Sequence, residues 1–169
     1  MDEAVVVRPA RAADRPALVG LMAELQEFER ALQPDRAPAA LCADDHFAWL
    51  ERTTATHDGF VLVAERGGAV VGFLVGWVET EGGTYVVAPE RRFGLVSDLA
   101  VTAAARRHGI GRALLAAAEA HFRAAGLARV KLALLTGNDP AHAFYRARGY
   151  DDYELTVAKR LGPPAEGNG

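Results

Sequence analysis

The sequence predicts a single α+β domain in which helices flank a central β-sheet of mixed strand direction. Short segments rich in β-branched and aromatic residues alternate with segments whose apolar residues recur at helical spacing. A two-strand hairpin pattern lies between predicted helices, and the order strand, helix, strand, helix, strand follows it. Hairpin strands run antiparallel, whereas a helical crossover allows parallel pairing. We therefore expect a mixed sheet of about six to seven strands.

Bulk properties favour one globular enzyme domain over residues 1–161, followed by a flexible tail at 162–169. The chain has 169 residues, 50% of them hydrophobic and 24% charged, with a formal net charge of −3. This charge does not favour a nucleic-acid partner, and no signal peptide or membrane-length apolar run is visible. A single cysteine excludes an intramolecular disulfide, and the isolated histidines show no metal-ligand spacing. We expect a cytoplasmic location, no metal and no membrane partner.

The first half of the chain supplies the hairpin and two helices. Residues 5–9 read as a strand, and Asp14 is positioned to cap the helix that follows. A second helix is predicted from residue 39 to about 53. Residues 60–65 and 70–78 form the hairpin, because a Gly-Gly pair separates two β-rich runs. The glutamates of the first helix, at 24, 27 and 29, are interpreted as a solvated acidic face.

The later elements surround one basic, glycine-containing turn. Thr84–Phe93 is expected to be a loop bearing a short strand, since Pro89 interrupts it. Leu95–Val101 and Ala128–Leu135 read as buried strands, and Tyr153–Leu161 as a last strand. Between the first two, a helix is predicted to begin at about Gly109.

The start of that helix is suited to binding an anion. Helix starts expose backbone N–H groups and carry partial positive charge, and glycines allow a ligand to approach closely. The surrounding side chains are basic: Arg106, Arg107, His108 and Arg112. The spacing of Gly109 and Gly111 matches neither the dinucleotide fingerprint nor the Walker loop. A polyphosphate is the natural ligand.

Two motifs resemble the GNAT superfamily of acetyltransferases. Arg106-Arg107-His108-Gly109-Ile110-Gly111 resembles its (Gln/Arg)-x-x-Gly-x-(Gly/Ala) signature. The run from Asn138 to Tyr145, followed by Gly149-Tyr150, resembles the Asn-x-x-Ala-x-x-Phe-Tyr signature with its later Gly-Phe/Tyr. Both occur in the family's order, and the resemblance extends over roughly residues 5–160.

The resemblance implies the GNAT fold and acetyl-CoA as the acyl donor. It implies that the central strands splay and that pantetheine bonds to the strand backbone there, at Leu99, Ala100 and Val101. The pyrophosphate would be held by the turn, namely Arg106, Arg107, His108, Gly109, Ile110, Gly111 and Arg112. Asn138 would meet the pantetheine or adenine side, and Phe144 would pack beneath the cofactor.

The resemblance also suggests the catalytic groups, Tyr145 and Asp98. Tyr145 matches the family's usual general acid, which would protonate the departing thiolate; alternatively it is a packed core tyrosine. A faint similarity to the diamine acetyltransferases, through Leu25–Glu29 and Ser97–Val101, places Ser97 where that branch has a glutamate. Asp98 would bind or deprotonate the substrate ammonium; alternatively, backbone N–H groups satisfy it.

The expected reaction is direct attack by a primary amine on acetyl-CoA in a ternary complex. The acceptor is expected to be a small molecule, an amino acid or a polyamine, and to be cationic because the chain places several acids near this region. Transfer to a protein amine, or a catalytically weak acyl-CoA-binding regulatory domain, remains an alternative. The sequence does not specify the oligomeric state, and a homodimer is one possible assembly.

Overall fold

The structure, a computed structural model, describes residues 3–162. It forms two compact units, Met1–Gly137 and Asn138–Gly169. The first unit contains the sheet and three helices: β1 (Val6–Pro9), α1 (Arg15–Leu32), α2 (Ala39–Thr56), β2 (Phe60–Arg66), β3 (Ala69–Thr80), β4 (Arg92–Val101), α3 (Ile110–Ala124) and β5 (Val130–Leu132). The second unit contains α4 (Asp139–Arg146).

The sheet has the strand order β1-β2-β3-β4-β5 within the described residues. All neighbouring strands are antiparallel except β4 and β5, which are parallel. The predicted hairpin is confirmed: β2 and β3 join through Gly67 and Gly68, whose φ angles are 58° and 76°. Two consecutive left-handed residues give the turn a twist that matches the strands it joins. The mixed α+β architecture predicted from the sequence is thus confirmed.

Helices cover both faces of this sheet. On one face, Met22 of α1 and Phe47 of α2 pack against Phe73 and Val75 of β3, and all four side chains are buried. On the other face α3 approaches so closely that glycine is required. A Cβ at Gly94 would lie 2.4 Å from the ring of buried Phe122. The sheet is therefore fixed between helices, and β4 lies between β3 and the edge strand β5.

The sheet has fewer strands than expected, five rather than six or seven. The expected strand at Tyr153–Leu161 is wrong, since these residues carry no strand, and Ala128–Leu135 contributes only Val130–Leu132. Thr84–Phe93 is a loop with one 3-10 turn, Ala88–Glu90, and β4 begins only at Arg92. Strand propensity reflects packing against neighbours, and alternation in the sequence does not guarantee a neighbour.

Asp14 does not cap α1, contrary to the expectation. Its carboxylate instead accepts hydrogen bonds from the Arg8 guanidinium, at 2.7 and 2.9 Å, and from the Arg11 N–H, at 2.7 Å. These contacts hold the pKa of the Asp14 carboxyl at about 2. The ion pair ties β1 to the start of α1.

The second unit begins with a capped helix. Asn138 Oδ1 accepts a hydrogen bond from the Ala141 N–H at 3.3 Å, and Pro140 lies in the first turn of α4. Residues 151–161 that follow have no regular secondary structure. Of the predicted tail, residues 163–169 lie outside the described residues. Over the described range, none of the helices combines the length and apolarity needed to cross a membrane.

Candidate active site

A β-bulge determines where Asp98 points. Val75 of β3 faces Asp98, but the next residue, Gly76, faces Val96, so Ser97 is an extra residue in β4. Side chains alternate between the faces of a strand, and the extra residue reverses that alternation. Because Val75 belongs to the core beneath α1 and α2, Asp98 lies on that same face.

Asp98 is held in a largely desolvated environment. The Ser97 hydroxyl donates a hydrogen bond to Asp98 Oδ2 at 2.7 Å. Burial raises the pKa of the Asp98 carboxyl above its usual range, while the Ser97 hydrogen bond and the charge of His46 act in the opposite direction. The carboxylate therefore has a higher proton affinity than an ordinary aspartate, as a group that receives a proton from an ammonium needs.

Glu29 of α1 lies close enough to Asp98 for their charges to interact. Burial raises the pKa of the Glu29 carboxyl, and the charge of Asp98 raises it further. The interpretation of Glu29 as part of a solvated face is therefore wrong. The sequence signal for the partial burial of Glu29 was its position four residues after Leu25, in line with the buried stripe of α1. His46 of α2, half-buried and stacked on Trp49 at 5.6 Å, adds a titratable group that sequence analysis did not consider.

The other acids near this region already have partners. Glu27 accepts the Ala39 N–H at 2.7 Å and pairs with Arg30, which ties α1 to α2. Glu79 accepts the Trp77 indole N–H at 3.1 Å, and Glu81 pairs with Lys131 at 2.9 Å. Neither Glu29 nor Asp98 forms an ion pair with any residue in the described range 3–162. These two carboxylates are thus available to a cationic ligand.

The edge of β4 opens immediately beside Asp98. Strand β5 pairs with β4 only at Gly94, Leu95 and Val96, and β5 ends at Leu132. Beyond Val96, β4 continues to Val101 and stays paired with β3, but its other edge is no longer paired with β5. This separation is the splay of the central strands that the resemblance implied.

The backbone groups that face the open edge follow from the hydrogen bonds on the other side. The Thr102 N–H donates to the Val71 carbonyl of β3 at 2.9 Å. Consecutive residues direct their N–H and C=O groups to opposite edges of a strand. Val101 and Leu99 therefore face the open edge, whereas Ala100 faces β3. The Val101 carbonyl already accepts a hydrogen bond from Arg106 Nε at 3.0 Å.

A short 3-10 turn, Ala103–Ala105, connects the end of β4 to the segment that begins α3. Helix α3 begins at Ile110, one residue after the predicted start, and no side chain caps it. Gly109 precedes it with φ 75°, and Arg107 has φ 66°. A left-handed conformation costs a non-glycine residue about 1–2 kcal/mol. Backbone turns of this kind direct several N–H groups into one concavity, which is a common anion site.

The side chains of this turn leave the helix start accessible. His108 Nδ1 donates to the Arg106 carbonyl at 2.8 Å, which folds the imidazole back onto the turn. Arg107 and Arg112 are exposed, and Gly111 is half-buried in the first turn of α3. The first turn contains no acidic residue that would compete with an anion. The predicted phosphate residues are thus brought together around uncapped N–H groups.

The remaining predicted residues belong to the second unit. Tyr145 of α4 is buried, with its ring 5.0 Å from the Phe144 ring and 5.6 Å from the Tyr150 ring, measured between centroids. The Arg148 guanidinium lies 3.6 Å from the centre of the Phe144 ring and covers that face. Any ligand that packs on Phe144 would use its other face or its edge. Asn138 serves as the helix cap.

The described residues contain no cluster of three or more His, Cys, Asp or Glu side chains arranged to hold a metal ion. The chemistry available at the site comes from a backbone edge, a helix start and two carboxylates. This combination can hold an extended phosphorylated ligand next to a group that binds ammonium.

Comparison with protein families agrees with this geometry. Residues 20–150 match the family model described as "Acetyltransferase (GNAT) family". The IAA acetyltransferase of Azospirillum brasilense is 34% identical over 136 residues, which cover 80% of this chain and 78% of that protein.

Solved structures show the same fold. The tetramutant of BH1408 protein from Bacillus halodurans superposes with a TM-score of 0.80 at 20% identity, covering 92% of this chain and 99% of that one. The aminoglycoside N-acetyltransferase AAC(6')-Iy, solved in complex with CoA, superposes with a TM-score of 0.68 at 17% identity, covering 95% of this chain and 96% of that one. At these identities the likeness concerns the fold.

Proposed function

Because the chain belongs to the GNAT acetyltransferase family and is an acyltransferase, we propose that it transfers the acetyl group of acetyl-CoA to a cationic primary amine. The observation that carries the proposal is the open edge of β4, which runs from Asp98 to the uncapped start of α3. An extended pantetheine arm can bond to such an edge as an added strand does. A pyrophosphate at its far end would then meet the N–H groups of the turn.

In this arrangement the open edge of β4 binds the pantetheine arm, and the start of α3 binds the pyrophosphate. The Leu99 backbone and the Val101 N–H bond to pantetheine, since the Val101 carbonyl is already occupied by Arg106. The backbone from Arg107 to Arg112 binds the pyrophosphate, with Arg107 and Arg112 adding positive charge. Phe144 and Asn138 contribute apolar and amide contacts to the cofactor. The complex of AAC(6')-Iy with CoA supports the choice of ligand.

The acceptor amine is recognised by Asp98 and Glu29. Two partly desolvated carboxylates repel each other, and a cation that contacts both removes this cost. At 4 Å, one such contact contributes at most about 4 kcal/mol at an effective dielectric near 20. An exposed pair would contribute about 1 kcal/mol or less.

The reaction then requires proton movements at the nitrogen and at the sulfur. The ammonium loses a proton to Asp98, directly or through water, because an ammonium nitrogen has no lone pair for attack. The free amine attacks the thioester carbonyl carbon, a C–N bond forms, and the C–S bond breaks. Tyr145 donates its phenolic proton to the departing thiolate, since a phenol with an ordinary pKa of about 10 is protonated at neutral pH. The nitrogen loses its second proton to water to give the neutral amide, and exchange with solvent restores the Asp98 carboxylate and the Tyr145 phenol.

The test is thiol release from acetyl-CoA with three classes of acceptor: a polyamine, a lysine-like amino acid and a neutral arylamine. We expect the cationic acceptors to have the higher kcat/KM, and Asp98→Asn to lower it for them at least tenfold while changing the arylamine rate less than threefold. Asp45→Asn, which removes one charge from an exposed position of α2, is the matched control.

Two results would contradict parts of the proposal. If the neutral arylamine is the best acceptor and Asp98→Asn leaves the ranking unchanged, the acceptor is not recognised by charge. If acetyl-CoA binds but none of the amines, including a panel of protein N-terminal and lysine peptides, releases thiol, the chain binds acyl-CoA without transferring its acyl group.

A further inference from the structure

An aromatic row links α2 to β3 on the face of the sheet that carries Asp98. It consists of His46, Trp49 and Trp77. The His46 and Trp49 rings are stacked, with centroids 5.6 Å apart and planes 23° apart. The Trp49 ring meets the Trp77 ring edge to face, with centroids 6.1 Å apart. Trp77 is buried, and its indole N–H donates to Glu79 at 3.1 Å, so the row is anchored in the core in a fixed orientation.

The strand register places the aromatic row beside the two carboxylates of the site. Trp77 lies two residues after Val75, which faces Asp98, and Val75 and Trp77 both belong to the core beneath α1 and α2. Diagonal neighbours of this kind are about 7–8 Å apart, within reach of an aromatic side chain. Burial raises the pKa of the Glu29 and Asp98 carboxyls, and the charge of His46 acts to lower both, so the imidazole also lies close to these acids.

Trp49 is the accessible member of the aromatic row. Its side chain is 45% exposed although two other rings contact it. A single exposed apolar residue is ordinary, but an indole that is already held in place loses little conformational entropy when a ligand packs on it. Tryptophan is also among the residues that contribute most to binding surfaces. The open surface of Trp49 is thus a preorganised apolar contact next to two acids.

We propose that the preferred acceptors are arylalkylamines, whose aromatic ring packs on Trp49 while the ammonium is held by Asp98 and Glu29. This inference rests on the acetyl transfer proposed above and specifies the class of its acceptor. A short aliphatic linker between ring and nitrogen matches the close spacing of the aromatic row and the acids. A polyamine would instead bring a second ammonium to Trp49. That ammonium would lose hydration there, whereas an aromatic ring gains from burial.

The test compares phenethylamine with cyclohexylethylamine, which carry the same ammonium on the same two-carbon linker. The saturated ring is at least as apolar as the phenyl ring, so burial alone does not favour phenethylamine. Contact between aromatic rings contributes about 2- to 10-fold beyond burial. We therefore expect kcat/KM with acetyl-CoA to be about threefold or more higher for phenethylamine than for cyclohexylethylamine, and higher than for putrescine.

Three variants locate the preference on the aromatic row. Trp49→Leu removes the ring but keeps an apolar side chain, and it should reduce the ratio between the two amines to less than about twofold. Trp49→Phe keeps a smaller ring and should retain part of the preference. Leu41→Ala is the matched control, because it shortens another exposed apolar side chain of α2, and it should leave the ratio unchanged. Thermal unfolding shows whether each variant is folded.

Calorimetric titration of both amines into the protein, with and without coenzyme A, measures the same preference independently of transfer. A binding preference for phenethylamine that Trp49→Leu abolishes supports the inference even if no amine releases thiol, and in that case the proposed acetyl transfer fails instead. Equal values for the two rings, no binding or turnover of either amine, a higher kcat/KM for putrescine, or a preference that survives Trp49→Leu overturns the inference. Transfer to putrescine or cyclohexylethylamine at any of these rates leaves the proposed acetyl transfer standing.

Discussion

Replacing Gly111 with aspartate should weaken acetyl-CoA binding while stabilising the protein, a pair of effects that a folding defect cannot produce. Gly111 is the second residue of α3, and the first turn has neither a capping side chain nor an acidic residue. A carboxylate there interacts favourably with the helix start, by about 0.3–1 kcal/mol. Aspartate also has a slightly higher helix propensity than glycine.

The same carboxylate opposes the pyrophosphate. One pair of like charges about 5 Å apart costs about 0.8 kcal/mol even in bulk water, so two phosphate charges cost about 1.7 kcal/mol. Since about 1.4 kcal/mol corresponds to a tenfold change in affinity, the Kd for acetyl-CoA should rise at least tenfold. In the proposed site the added side chain would also lie where the phosphate binds.

Isothermal titration calorimetry measures the affinity, and thermal unfolding measures the stability. We expect a Tm about 1–4 °C above that of the wild type, from the usual sensitivity of a domain of this size. Ala116→Asp is the control, because it adds the same charge at an exposed position five residues later. That charge lies about 7.5 Å further along the helix axis, where salt screens it from the phosphates.

The location of the phosphate site at the start of α3 would be refuted by a folded Gly111→Asp variant that binds acetyl-CoA as the wild type does. An equal loss of affinity in Ala116→Asp would point instead to the net charge of the protein. A loss of affinity confined to Gly111→Asp, with Tm unchanged or raised, assigns the effect to the helix start.

Two further predictions concern the proton-transfer groups. Tyr145→Phe should lower kcat at saturating acetyl-CoA by about 10²-fold or more, as expected for a lost general acid, with little change in the Kd for acetyl-CoA. An unchanged kcat would make Tyr145 a packing residue. Because burial raises the pKa of Asp98, the folded state binds its proton more tightly than the unfolded state, and its contribution to stability is lost as pH rises through that pKa. Asp98→Asn should therefore raise Tm at neutral pH and leave it nearly unchanged below the ordinary aspartate pKa of 3.8, as a pH series of unfolding curves would show. A Tm difference that does not vary with pH would contradict the assigned cause.

Local features of this protein could be predicted because local chemistry determines them. The Gly67-Gly68 pair readily adopts the left-handed conformation that this turn requires at both residues, so the hairpin could be predicted. Helix α3 begins at Ile110, within one residue of the predicted position, because Gly109 ends the preceding turn and the apolar spacing starts there. The two family motifs are equally local, and they indicated acetyltransferase chemistry before any pairing of strands was known.

Other features required distant parts of the chain to meet. Glu29 looks like one of three surface glutamates until α1 is packed against the sheet, where burial, and then the charge of Asp98, raise the pKa of its carboxyl. The predicted strand at 153–161 has a suitable pattern, but a strand exists only where another strand offers an edge. Asp14 has a capping sequence, yet the Arg8 guanidinium, brought beside it by β1, forms the stronger charge-assisted contacts.

The amino-acid sequence alone indicates the parts of the proposed site: a basic glycine turn that begins a helix, a strand bearing Asp98, and a helix bearing Tyr145. The direction in which Asp98 points, and the strand edge that is open to the proposed cofactor, follow from how the strands pair. The bulge at Ser97 appears only in the register between β3 and β4, and the open edge appears only because β5 ends at Leu132. The register between two strands and the edge that a strand leaves open both depend on how strands pair. The free energy of that pairing comes from contacts between segments that are distant in the sequence.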